Sequence, residues 1–453
     1  HNQTLTLSVD KLKEDSKALS SIDQSDKIKD AENLYREKLR PQFHFTSRRG
    51  WNNDPNGLVF YKGEYHLFYQ HNPYGWNWGN MHWGHAVSRD LVHWEELGEA
   101  LYPDELGTMF SGSAVVDENN TAGLQRDSEK TLVAFYTAAG GDDPFSKGKK
   151  FTQCMAYSNN RGRTWLKYDK NPVIGHIIGG NRDPKVLWYA PQNKWIMAIY
   201  LDKNDFALFD SKDLKSWNEL QRFSVEHEIE CPEFFELGDR WVFYGANGKY
   251  LVGSFDGKNF TRESGPHELN RGNCFYASQT FNLPATDKRR ILVPWGRFNI
   301  PDMPFNQMIG LPVELKLSQT AEGHRLSALP VDELKKLRGA ETKLDRLKSP
   351  EFEIECAFDL GNKIDINLHG APIRFSPDNR EITCLGKVAV LPRDAREVKI
   401  RALVDRASID LFINDGALYM PMGYIPKNGD TTVTVSKDGL KSLKAWPLKS
   451  AWK

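Results

Sequence analysis

Between about residues 41 and 335 the chain alternates short apolar, aromatic and β-branched runs with clusters of Gly, Asn, Asp and Pro. Residues 64–70, 131–136, 194–200 and 240–244 are typical runs. Such runs between turn-forming clusters predict short strands throughout. Residues 26–39 differ. Ile28, Ala31, Leu34, Tyr35 and Leu39 recur at helical spacing, which predicts a helix packed on the main body, within an N-terminal extension (1–40) that carries no chemistry. Residues 330–349 read as a short helix and a charged linker (336–349). Alternation resumes after Pro350, for example in 351–358 and 408–416, and predicts a separate β-sandwich over 350–453.

An imperfect repeat runs through the first β region. A polar turn leads to an aromatic residue at Ser88 to Trp94, Ser158 to Trp165 and Asp210 to Trp217, with a worn copy at Ser254 to Phe260. Units of about 40–70 residues, each holding a few strands, suit propeller blades. These four copies and the segment around Trp295 suggest five blades over 41–335; a large sandwich is the alternative. The fold class expected is all-β, a five-bladed β-propeller followed by a β-sandwich.

Composition narrows the partners. Lys+Arg and Asp+Glu are equal at 60 each, so no basic field exists to hold nucleic acid. No apolar run is long enough to span a membrane, and no leader is visible at the start, as in a processed product or a cytosolic protein. Aromatics form 12% of the chain, with 13 Trp, which favours a carbohydrate-like ligand over a phosphate-rich one. The five cysteines are widely spaced with no CxxC, which argues against a metal site; Cys356 and Cys384 could pair but read better as buried thiols. His66, His82, His85 and His93 are scattered over strands and read as packing or hydrogen-bonding residues. No cofactor is expected.

Three acidic segments carry the candidate chemistry. Asn53-Asp54-Pro55-Asn56-Gly57 is turn chemistry between strands, placing Asp54 at a strand rim facing a pocket. Arg182-Asp183-Pro184 and Glu230-Cys231-Pro232 each precede an aromatic strand. Alone, each acid is an ordinary surface turn residue. In a propeller, equivalent rim positions of different blades converge. Convergent carboxylates repel, so one holds a proton at neutral pH, and an ionised acid beside a protonated one is the pair that glycoside hydrolysis requires.

These three motifs in this order, with 110–115 (Phe-Ser-Gly-Ser-Ala-Val) and 83–88 (Trp-Gly-His-Ala-Val-Ser), resemble glycoside hydrolase family 32, the β-fructofuranosidase family of invertases, inulinases and levanases. Residues 405–416 resemble its C-terminal signature, with Asp410 where Glu is more usual. The resemblance covers about 40–450. It implies a retaining hydrolase that releases terminal β-D-fructofuranosyl units from fructan or sucrose, with an exo lean, and implies export. Asp54 matches the nucleophile, Glu230 the general acid/base and Asp183 the transition-state stabiliser. Asn53, Gln70, Trp78, Phe110, Ser111 and Arg182 match fructose-pocket positions, with Trp295 as a further wall. Glu233 stands where Asp is common and Ile229 where some members carry Trp. A retaining mechanism implies Asp54 and Glu230 carboxyls about 5–5.5 Å apart. A fructosyltransferase of the same family, a five-bladed arabinan or xylan hydrolase and a non-catalytic fructan-binding propeller are the rival readings.

Overall fold

A computed structural model describes residues 31–452. Residues 50–330 form five antiparallel sheets of four or five strands, and residues 352–447 form two five-stranded sheets. In the first region each sheet contains four strands that neighbour one another in chain order. Their first strands are Gly50–Tyr61, Thr108–Asp117, Arg182–Tyr189, Glu233–Leu237 and Tyr276–Thr280. Phe305–Asn306 adds a parallel pairing outside Gly50–Tyr61, so a late segment closes onto the first sheet.

The sequence repeat is the hairpin between the third and fourth strands of four of these sheets. In each copy a side chain makes the turn and an aromatic residue wedges under it. Asp90 Oδ1 accepts from the Val92 and His93 amides, Asp213 Oδ1 from Lys215 and Ser216, and Asp256 Oδ1 from Lys258 and Asn259. The indoles of Trp94, Trp165 and Trp217 each donate to a backbone carbonyl three residues earlier, at 3.1 Å in all three. These are Asx-type turns, which set the chain reversal locally. The fifth sheet lacks the signature because Val313–Thr320 and Gly323–Pro330 are joined by a two-residue turn with no aromatic. Trp295 instead lies on a second strand, Arg290–Gly296.

Four of the five first strands are tied to one another by buried polar groups. Lys185 Nζ meets Glu233 Oε1 at 2.9 Å and donates to the Thr280 carbonyl at 2.7 Å. Thr280 Oγ1 donates to Glu233 Oε2 at 2.6 Å, and Asn282 Nδ2 donates to the carbonyls of Ala114 and Val186. Three distant strands therefore share one fully buried ion pair. Thr280 hydrogen-bonds both partners, the kind of support that helps a buried pair to be tolerated.

In the C-terminal region Phe352, Ile354, Cys356 and Phe358 alternate inward along Phe352–Asp359 and pack with Ile364, Ile366, Ile373 and Phe375 of the facing sheet. Cys356 and Cys384 are free and buried, like the other three cysteines. The two regions meet through side chains that use both. Asp405 accepts from the backbone of Gln42 and Phe43 and from His44, and the other ring nitrogen of His44 reaches Asp410 at 3.0 Å.

Two expectations change. Of the helix predicted over 26–39, residues 26–30 lie outside the described residues. The rest is a three-residue 3-10 turn, Ala31–Asn33, followed by turns, with Tyr35 at φ +64°. Its apolar residues make tertiary contacts instead: Tyr35 stacks on Trp452, and Leu39 packs against the buried cluster that holds Phe305. The helix expected after Pro330 is a 3-10 segment, Asp332–Leu337, with Leu334 and Leu337 buried.

Candidate active site

The segment holding Asp54 is not a turn between strands. Gly50–Tyr61 runs straight through it, with two register shifts against Glu64–Asn72, one between Asn52 and Pro55 and one between Asn56 and Val59. Each is a bulge with one extra residue. Bulges accept a proline that cannot donate to the ladder and a glycine at φ +54°, here Gly57. The residues that signal a turn thus re-aim side chains within a strand, and the first bulge turns Asn53 and Asp54 toward the ends of the neighbouring first strands.

Asp54 Oδ2 accepts from Ser111 Oγ at 2.6 Å and Oδ1 from Asn53 Nδ2 at 2.9 Å. Asn53 is fixed by the Trp51 indole at 2.8 Å. Ser111 lies on Thr108–Asp117, so two sheets already meet at this carboxylate. Asn56, with its amide oriented to satisfy its neighbours, donates to Ser111 Oγ and accepts from the backbone and side-chain nitrogens of Gln70, both at 3.1 Å. Gln70 is buried and supports the hydroxyl that orients Asp54.

Asp183 arrives from the third sheet. Its amide donates to Thr137 Oγ1, and its Oδ2 accepts from the Cys231 amide at 3.0 Å. The Cys231 thiol bridges two acids, with Sγ 3.4 Å from Asp183 Oδ2 and 3.6 Å from Asp54 Oδ2. Glu230 precedes the fourth sheet. Arg182 grips its Oε2 with Nη2 at 2.6 Å and Nε at 3.1 Å, and the Tyr276 hydroxyl, from the fifth sheet, donates to Oε1. Arg182 also donates to the Gly180 carbonyl and lies over the Tyr200 ring. Asp183, Glu230 and Cys231 have φ of +64°, +35° and +44°, a left-handed region that non-glycine residues occupy at a cost, typically where function demands it.

The electrostatics follow from loss of water and mutual repulsion. Desolvation raises Asp54, and the nearby Glu230 charge adds to this against the Ser111 and Asn53 donors. Burial raises Asp183 to about 7; Arg182 opposes this, while Glu230 and Asp54 reinforce it. Asp183 therefore holds its proton well above the usual carboxylate range, because burial and the neighbouring carboxylates disfavour its charge. Burial and the surrounding acids also push the Cys231 thiol well up, so it is a donor and not a nucleophile here.

Aromatic rings stand at the rim. Trp78 is half-exposed and meets Phe110 edge-on at 5.9 Å, and Phe110 meets Phe151 at 5.4 Å. Trp295 is buried; it donates to Gln307 Oε1 and packs edge-on against Tyr276 and Trp51, so it backs the pocket through those rings. Of the residues singled out from the sequence, Asn53, Asp54, Ser111, Arg182, Asp183 and Glu230 thus join one network with Gln70 behind it, while Trp78 and Phe110 meet each other and Trp295 reaches the network through Tyr276 and Trp51. Tyr276, Asn56 and Thr137 were missed: the only trace of Tyr276 in the sequence is an aromatic at the head of a strand, a feature shared with many core rings. Glu233, close to Glu230 in the sequence, is turned to the buried centre with Lys185 and Thr280. Among the described residues no group of three or more His, Cys, Asp or Glu could hold a metal ion, and no helix is long and apolar enough to cross a membrane.

Comparison with known proteins identifies the family. Residues 44–330 match the sequence model of the glycosyl hydrolases family 32 N-terminal domain. The chain is 37% identical to a levanase of Bacillus subtilis (strain 168), over 92% of this chain and 72% of that protein. It is 30% identical to a levanase of Bacillus sp. (strain L7), of which it spans 53%. Among solved structures, exo-inulinase from Aspergillus awamori superposes with a TM-score of 0.83 at 26% identity, over 92% of this chain and 100% of that one. A fructofuranosidase from Schwanniomyces occidentalis complexed with fructose superposes at 0.78 with 28% identity, over 91% and 99%. The fold is a propeller followed by a sandwich, and the chain belongs to glycoside hydrolase family 32.

Proposed function

We propose that this chain is a retaining β-fructofuranosidase that removes terminal β-D-fructofuranosyl units from fructan or sucrose. Fructosyl hydrolysis is the activity its family membership and its levanase, exo-inulinase and invertase relatives support. The observation that carries the mechanism is the meeting of Asp54, Asp183 and Glu230, from three different sheets, around one thiol and one guanidinium.

Asp54 attacks the anomeric carbon of the fructosyl unit. The bonding pair of the glycosidic linkage passes to the leaving oxygen, which takes a proton from Glu230. Water then yields a proton to Glu230 and displaces Asp54, releasing fructose with retention, for which a carboxyl separation of about 5–5.5 Å is expected. Asp183, backed by Arg182, binds ring hydroxyls more tightly as positive charge develops on the sugar. Ser111 and Asn53 hold Asp54 in its attacking orientation, and Trp78 and Phe110 offer apolar faces to the sugar. The five sheets of residues 50–330 act as the blades of a five-bladed propeller, within a catalytic domain over 41–335, and 350–453 forms the sandwich domain behind a linker over 336–349. Relatives include an extracellular exo-inulinase, which supports an exported enzyme.

The test is incubation with sucrose, inulin and levan, following free fructose and product length. Free fructose released one unit at a time from polymer ends supports exo-hydrolysis. Accumulation of lengthened products at high sucrose makes it a transferase, and inactivity on every fructoside makes it a binding module.

A further inference from the structure

Two residues before Glu230 lies a second acid, Glu228, that the mechanism does not use. It is fully buried. Its Oε2 accepts from the Asn247 amide at 3.1 Å, its carbonyl accepts from Asn204 Nδ2 at 2.8 Å, and its Oε1 accepts no hydrogen bond from any described residue. Asn247 belongs to the turn Gly245-Ala246-Asn247-Gly248, which joins the strands Arg240–Tyr244 and Lys249–Phe255.

That turn touches the acid machinery at both ends. The Ala246 amide donates to the carbonyls of Ile229 and Glu230, at 3.0 and 3.1 Å, and the Ala246 carbonyl accepts from the Ala277 amide at 2.9 Å. Ala277 follows Tyr276, whose hydroxyl donates to Glu230 Oε1. The backbone of Glu230 and the backbone next to its hydroxyl partner therefore hang on one residue of the turn, and the Glu228 carboxyl is lodged against the same turn. The fit is tight. A Cβ on Gly245 would stand 2.5 Å from Glu228 Oε2 and 2.9 Å from the Ile229 carbonyl. Support is needed here because Glu230 and Cys231 both hold left-handed backbone angles, which persist only when the surroundings over-determine them.

We propose that Glu228 is a positioning residue for proton transfer, bracing the 245–248 turn so that Glu230 and Tyr276 keep their mutual geometry. It acts through that turn and touches no substrate. The inference rests on the reading of Glu230 as the acid/base. Burial raises Glu228 to about 8, so its neutral carboxyl is well imitated by the side-chain amide that Glu228→Gln introduces, whereas Glu228→Ala removes the brace.

A positioning defect in an acid shows itself through the leaving group. Sucrose has a poor leaving group that needs the proton. A p-nitrophenyl β-D-fructofuranoside leaves as a stable phenolate and needs it far less. The quantity compared is kcat/KM, which reports the step that breaks the glycosidic bond. Glu228→Ala is expected to lower kcat/KM on sucrose about 10- to 100-fold but on the nitrophenyl fructoside only about threefold. Glu228→Gln is expected to recover most of the sucrose activity, and Gly245→Ala, which pushes on the turn from the other side, to repeat the substrate-dependent loss. Equal losses on both substrates, or no loss on either, overturn the proposal. Glu230→Ala measured alongside separates the two failures. If it too loses equally on both substrates, the acid/base reading is wrong; if it alone shows the leaving-group dependence, only the role of Glu228 is wrong.

Discussion

Arg182 donates twice to a single oxygen of Glu230, leaving the other oxygen to Tyr276. The carboxyl is thus held between a cation and a phenol from two different sheets. Freezing a reacting group in one orientation can contribute a large share of a rate enhancement.

Tyr276→Phe removes one of those two holds without changing ring packing against Trp295. Its kcat on sucrose is expected to fall about tenfold or more, with a smaller change in KM, because the lost contact orients a proton-transfer group rather than the ground-state sugar. Steady-state kinetics on sucrose provide the check. An unchanged kcat would mean that Arg182 alone fixes Glu230.

Asp54→Asn keeps the hydrogen bond from Ser111 and the shape of the pocket but removes the attacking charge. Hydrolysis of sucrose and fructan is expected to drop by about four orders of magnitude. Full hydrolysis by this variant would show that Asp54 is not the nucleophile. In the wild type the same requirement for an ionised Asp54, whose titration is raised by desolvation and by Glu230, predicts that activity falls on the acid side of its profile.

Asp183 couples activity to stability. In the unfolded chain its carboxyl titrates near 3.9, and in the fold at about 7. Between those values the native state binds the extra proton, so the contribution of this group to stability falls as pH rises from about 4 to 7. At pH 5 Asp183 is already neutral, and Asp183→Asn should change the melting temperature little. At pH 8 the wild type carries a buried charge that the amide lacks, and the variant should melt higher than the wild type while having lost most of its activity. Thermal melts at the two pH values decide it: a variant less stable than the wild type at pH 8 would show that the Arg182 and Cys231 contacts outweigh the burial.

Glu233 tests the centre of the molecule. Its ion pair with Lys185 is fully buried, so Lys185→Met, which strands a buried carboxylate, is expected to destabilise by about 3–5 kcal/mol. Glu233→Gln can keep the Thr280 hydrogen bonds but leaves the Lys185 ammonium without its counter-ion, so a loss of similar size is expected, with activity per folded molecule retained. Chemical denaturation and an active-site-normalised assay provide the measurement. Loss of activity in folded Glu233→Gln would move the acid role to Glu233.

Much of this was legible in the chain itself. Short aromatic and β-branched runs cut by Gly, Asn, Asp and Pro mark the first-region strands, which are buried on both faces, and alternation marks those of the C-terminal sheets, which bury one face. The Asp-turn-Trp repeat marks the hairpins because side chains close those turns within a few residues. The three acidic motifs could be read because each is a local backbone device, a proline or glycine beside an acid, that aims a carboxylate. What the chain could not disclose depends on groups far apart in sequence. The helical spacing of residues 31–39 is overridden by contacts with Phe305 and Trp452, and the turn signature at Asp54 becomes a pair of bulges because Glu64–Asn72 continues to pair on both sides of it. Tyr276, Asn56 and the 245–248 turn acquire their roles only when five sheets bring their first strands side by side. Local chemistry specified where each acid points; long-range packing decided which donors, cations and neighbouring charges it meets, and those set its protonation.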